Sequence, residues 1–129
     1  MSNHETRAVQ LRGDPNVHFN CAQAVLIPFA EEQGLSAGQA AAIAAHFGSG
    51  MRMGGTCGAV TGGLMALGIL GCGEDAAKAF LREFQQLSQT TDCSPLLDIC
   101  QEQGTPKQGY CLSLILQAIR LVEKYSAEP

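Results

Sequence analysis

The sequence predicts an all-α fold: a single-domain bundle of five or six helices around a Gly/Ala-rich buried central helix. Three observations carry this. No alternating apolar–polar run of useful strand length occurs in the 129 residues. Capping residues and glycines punctuate the chain at helix-length intervals. Aromatic residues make up 5% with no Trp, so the core is built from Ala, Leu, Ile, Val and Met, which let helices approach closely. The length suits one domain with a real core, and 46% apolar against 16% charged residues argues against disorder.

Residues 1–13, "MSNHETRAVQLRG", are polar and read as a flexible N-terminal tail ahead of a helical domain at 14–126. This start lacks the apolar stretch of a secretory signal, which points to a cytoplasmic protein. Asp14 and Pro15 pair as helix N-cap and first-turn residue. The helix they open carries Val17, Cys21, Ala24, Val25 and Phe29 on one stripe and stops at Gly34. Pro28 falls inside it, removing a hydrogen bond to Ala24 and bending the helix.

Ser36 and Gln39 form a capping box ahead of "AAAIAAHF", which Gly48 ends. A flexible glycine loop, "GSGMRMGGTCG", then feeds "AVTGGLMALGIL". That segment is apolar all round, which suits a helix at the centre of a bundle. Gly54 to Gly73 hold no charge over twenty residues, the length of a membrane span. Glycine dilutes their hydrophobicity and no basic cluster flanks them, so a buried helix is the reading. Gly58, Gly62 and Ala66 recur every four residues and leave one side nearly bare backbone. Another helix must lie close against it, within the chain or across a homodimer.

From Gly73 to Gln89 the pattern is amphipathic: Ala77, Phe80, Leu81, Phe84 and Leu87 share a face, with Lys78, Arg82 and Glu83 outside it. "TTDCSPLLDIC" reads as a short helix started by Asp92 or Ser94. Thr105, Pro106 and Gln108 give a second capping box with proline at the first helical position. The last helix runs to about Tyr125 and buries Cys111, Leu114, Ile115, Ala118, Leu121 and Val122.

The formal charge of −4 and the absence of any basic run exclude a nucleic-acid binder. "GSGMRMGG" has no preceding strand and no Lys-Ser/Thr after it, so it is not a phosphate loop. The informative feature is six cysteines, Cys21, Cys57, Cys72, Cys93, Cys100 and Cys111, in a chain read as cytosolic. One buried thiol is an ordinary small hydrophobe; six together point to reactivity or metal binding. Local pairing does not explain them. Cys93 and Cys100 lie about 10 Å apart along a helix, and Cys57 and Cys72 roughly 22 Å apart if one helix joins them. No C-x-x-C occurs, so any pair is assembled by tertiary folding.

Cys57 is the candidate reactive thiol. It falls at the first turn of the buried helix, with Thr56 as N-cap, where free N–H groups and the dipole favour a thiolate. Arg52 is the nearest cation in sequence, and the surrounding glycines leave room for a second sulfur. Cys93 follows Asp92, whose charge opposes a thiolate, and suits a partner role better. Cys21 and Cys111 lie on the core-facing stripes of the first and last helices. His4 in the tail, His18 three residues before Cys21, and His46 at the end of the second helix show no carboxylate partner in sequence. All three read as solvated or core histidines.

"NCAQAV", "GGTCGAVTGG", "DCSPLL" and "YCLSLI" give four cysteine stations, and with them the chain resembles a family of redox-active proteins. That family has four cysteines around a Cys-Gly-Ala-x-x-Gly box, here Cys57 to Gly62, and the similarity extends over almost the whole chain after about Pro15. The resemblance implies that Cys21, Cys57, Cys93 and Cys111 are the working set, with Gly58 and Gly62 in the box, and that Cys72 and Cys100 are extras.

Three functions follow. The first is a thiol-based redox protein, by dithiol–disulfide exchange or electron transfer, with Cys57 as nucleophile and Cys93, Cys111 or Cys21 resolving. It needs no cofactor, and its partner is a redox protein or a small thiol; it implies neither nucleic acid nor membrane. The second is a zinc or iron–sulfur module with the same four cysteines as ligands. The third is a helical assembly module with inert thiols.

Overall fold

Residues 1–127 are described by a computed structural model of the chain. Seven α-helices follow one another: α1 (Asn3–Arg12), α2 (Cys21–Glu32), α3 (Ala37–Ile43), α4 (Gly58–Ile69), α5 (Glu74–Ser88), α6 (Cys93–Gln103) and α7 (Lys107–Ser126). No strand occurs among the described residues, as the sequence predicts. No helix of the described residues is long and apolar enough to cross a membrane.

The apolar α4 lies at the centre, packed against α2, α5 and α7. Its bare side faces α2 within the same chain. A Cβ added at Gly62 would sit 2.7 Å from the Ala22 carbonyl oxygen and 3.0 Å from Ala22 Cα, so the two backbones are in direct contact. Glycine here is a matter of space rather than of backbone freedom. On another side, Gly63 seats the Phe80 ring of α5, and any side chain at Gly63 would collide with it. Phe80 and Phe84 are fully buried, while Leu87, expected on the same face, is 59% exposed.

The extra helix is α1, in the segment expected to be a flexible tail. Ser2 and Glu5 cap it reciprocally, and Ala8 and Leu11, three apart, go into the core. Its polar residues find partners far along the chain. The His4 ring stacks on Phe29 at 4.1 Å between centroids and bonds the carboxylates of Glu32 and Glu123. Glu5, 5% exposed, pairs with Arg120 at 3.0 Å. These contacts tie down a stretch too polar to declare itself.

Two helix starts also differ. The Asp14 carboxylate accepts from the N–H groups of Asn16 and Val17, closing a turn rather than capping a helix. α2 begins instead at Cys21, where Asn20 and Gln23 form a reciprocal box that outcompetes the Asp-Pro signal. At α7 the Thr105 box does not form and Pro106 takes the cap position without a side-chain bond. The Ser36–Gln39 box is present as expected, but α3 ends at Ile43, leaving His46 in the turn beyond it.

Between α3 and α4 the glycine loop takes a specific shape. Ser49, Gly50, Met51 and Arg52 all have positive φ, 52°, 62°, 58° and 61°, forming a left-handed turn. Holding three non-glycine residues there costs on the order of 1–2 kcal/mol each. Gly50 is obligatory: a Cβ would lie 2.5 Å from the Gly55 carbonyl oxygen and 2.7 Å from Cys93 Cβ. The strained turn is folded directly onto the start of α6.

Candidate functional site

Three of the four cysteine stations begin helices. Cys21 is the first residue of α2, Cys93 the first of α6, and Cys57 holds the N-cap position of α4. The cap is therefore Cys57 itself and not Thr56, as the sequence suggested. Thr56 instead faces Asp92 in an isolated antiparallel bridge. The Cys57 N–H donates to the Thr91 carbonyl at 2.8 Å and the Cys93 N–H to the Gly55 carbonyl at 2.6 Å. Side chains alternate along extended backbone, so this bridge turns Cys57 and Cys93 to the same side as diagonal neighbours.

Cys21 reaches the same place through the α2–α4 contact. A Cβ at Gly58 would sit 3.1 Å from Cys21 Cβ and 3.0 Å from the Ala22 nitrogen, so only glycine lets the two helix starts touch. Cys111, on the first turns of α7, closes the group from the other side. All four cysteines line one cavity of about 220 Å³. Leu96, Leu97 and Leu114 form its apolar part; Arg12, Lys107 and His18 stand on its polar part with the neutral Asn20, Ser49 and Gln108.

Helix starts favour a thiolate, but burial decides more. The N–H groups of Ala59 and Val60 face the Cys57 sulfur and pull its pKa down, yet Cys57 is only 4% exposed and burial pushes it up to about 11. Cys93 is likewise raised, first by burial and then by Cys111, with Lys107 opposing. The amide dipoles expected to favour a thiolate at Cys57 are present but do not lower its pKa on balance. Desolvation outweighs two amide dipoles.

The acidic thiol is Cys111. Its interaction with the Cys21 thiol lowers it below the ordinary range, against the effect of burial, and the charges of Arg12 and Lys107 add to this. Cys21 is raised by the same interaction and by its own burial. The two thiols titrate as a coupled pair, in which their interaction favours the charged form at Cys111 and the neutral form at Cys21.

Arg52, the cation nearest to Cys57 in sequence, is exposed on the left-handed turn and is not part of the cavity wall. The cations present, Arg12 and Lys107, come from the end of α1 and the start of α7; nothing local in the sequence links either to a cysteine. His18 lines the cavity, though it lies before α2 and shares no helix with Cys21. Gly62 acts only through packing. Cys100 is buried in α6, its thiol directed at the Thr105 carbonyl, and Cys72 lies beyond the other end of α4. Neither borders the cavity.

Among the described residues, no three His, Cys, Asp or Glu side chains converge so as to hold one metal ion. The four cysteines line the cavity wall without forming such a group.

A family model described as "Putative redox-active protein (C_GCAxxG_C_C)" matches residues 19–125. The span takes in all four stations and leaves α1 outside. No curated protein and no solved structure matches the chain.

Proposed function

The chain belongs to that family of redox-active proteins, and on this premise we propose that it works as a dithiol–disulfide couple whose exchanging thiols are Cys111 and Cys21. The observation that carries the reading is that Cys21 and Cys111 line one cavity with Arg12 and Lys107, where their interaction shifts the Cys111 pKa down and the Cys21 pKa up. Thiolate, not thiol, is the attacking species, so a cysteine whose charge is already stabilised is the natural nucleophile.

In the oxidative half-cycle the Cys111 thiolate attacks one sulfur of a disulfide and its partner leaves as a thiolate. Cys21 then gives up its proton to that departing thiolate and attacks Cys111, closing the protein disulfide and releasing the second thiol. Two electrons pass from the protein dithiol to the incoming disulfide, and the reverse sequence restores the thiols. Cys57 and Cys93, brought to one side by the Thr56–Asp92 bridge, are a second pair of thiols on the same cavity. Their raised pKa values suit a resolving or storage role rather than first attack.

The test is oxidation of the fully reduced protein with one equivalent of disulfide under anaerobic conditions, followed by peptide mapping. The first bond formed joins Cys21 to Cys111, and Cys111→Ala abolishes the fast phase. A first disulfide between other cysteines, or six thiols that stay reduced, sinks the reading.

A further inference from the structure

The chain carries 12 acidic residues against 8 basic ones, yet no Asp or Glu lines the cavity in front of Cys111, while Arg12, Lys107 and His18 do. Among the described residues neither Arg12 nor Lys107 forms an ion pair with a carboxylate. Arg12 is nevertheless fixed, because one guanidinium nitrogen donates to the Phe19 carbonyl at 2.8 Å and leaves its other N–H groups free of that bond. An acidic protein has thus placed two cations around a space floored by leucines and sulfur, with no carboxylate among the lining residues.

From this arrangement we infer that the substrate of the Cys111–Cys21 couple is a small disulfide bearing carboxylates, its sulfurs in the leucine-lined part and an acid group between Arg12 and Lys107. The inference rests on the dithiol reading above. The size agrees: a cavity near 150 Å³ holds a benzene ring, so about 220 Å³ takes one half of such a disulfide and leaves the other at the mouth. Attack occurs inside a concavity, which a flat protein surface does not enter. In the step, the Cys111 sulfur bonds to the inner sulfur of the ligand and the outer half departs as a thiolate. Cys21 displaces the inner half in turn, and both leave as carboxylate-bearing thiols. The oxidant is the disulfide itself, which takes up the two electrons.

Stopped-flow oxidation of the reduced, anaerobic protein tests this with three small disulfides: dithiodipropionate (two carboxylates), bis(2-hydroxyethyl) disulfide (neutral) and cystamine (two ammonium groups). Each rate is divided by that disulfide's rate with free mercaptoethanol. The expected order is anionic, neutral, cationic, with roughly tenfold or more between the extremes at low salt. In Arg12→Gln/Lys107→Gln the anionic-to-neutral ratio falls to the free-thiol value, while Arg12→Lys keeps it raised. Using this ratio removes the common loss of thiolate when the cations go. Equal normalised rates for all three disulfides overturn the inference and leave the exchange reading standing. So does a ratio that survives the double variant. If none of the three oxidises Cys21 or Cys111, the exchange reading itself falls and the inference with it.

Discussion

Replacing Gly62 by Ala probes the contact on which the site is built. The new methyl would lie 2.7 Å from the Ala22 carbonyl oxygen, 3.0 Å from Ala22 Cα and 3.1 Å from Val25 Cβ. Two of the three are backbone atoms of α2, which cannot rotate away, so the helices themselves must part. Overpacking of this kind costs about 1–3 kcal/mol, and the rigid contact argues for the upper half. Against it stands the helix preference for Ala over Gly, about 1 kcal/mol. The net expectation is a loss of about 1–2 kcal/mol. Gly68, near the end of the same helix, is the control: a Cβ there meets nothing within 4 Å, so Gly68→Ala changes stability by a few tenths up to about 1 kcal/mol in the favourable direction. Urea unfolding in reducing buffer measures both, and the two variants should differ by about 2–3 kcal/mol. The displacement also carries Cys21 off Cys111, so alkylation of Cys111 near neutral pH slows in Gly62→Ala alone. If Gly62→Ala proves as stable as Gly68→Ala, the α2–α4 backbone contact is not as described and the convergence of the cysteines loses its basis.

Other expectations concern single interactions. Cys21→Ala removes the largest influence lowering the Cys111 pKa, so the pH midpoint of Cys111 alkylation moves up while Arg12 and Lys107 keep part of the effect; an unchanged midpoint contradicts the coupling. For His4, burial opposes the charge, but the hydrogen bonds its ring donates to Glu32 and Glu123 outweigh it and raise the folded pKa above 6.5. The stability it contributes is therefore full below pH 6.5 and lost as pH rises through the folded value. The gap between wild type and His4→Gln in urea should be wider at about pH 5.5 than at about pH 8.5, and the reverse order refutes the assignment. Gly50→Ala places a methyl against Gly55 and Cys93 at positive φ. It should cost about 2 kcal/mol or more and speed alkylation of Cys93 as the bridge loosens.

Much of the site was legible because cysteine is conspicuous and helix geometry is local. Six thiols without a local pairing already required tertiary assembly, and the four stations named the set that now lines one cavity. The glycines of the central helix announced a close neighbour. What the residues around Cys57 suggested about its acidity was half the account. The amide dipoles are present, but a sequence does not state how deeply a side chain is buried, and here depth outweighs them. Arg52 looked relevant because it is near in sequence; Arg12 and Lys107 are relevant because they are near in space. The Thr56–Asp92 bridge joins positions 36 residues apart and leaves no periodic signal at all.

The sequence by itself determined most of the helices and the buried centre, since capping chemistry, apolar spacing and missing side chains act over a few residues, while its resemblance to a family picked out the four cysteines. Only the tertiary structure decided that α1 is part of the bundle, that α2 covers the bare face, and that the Cys111 pKa is shifted down while that of Cys57 is shifted up. Those outcomes depend on desolvation and on pairing across long chain separations. Both are properties of where the surrounding atoms lie.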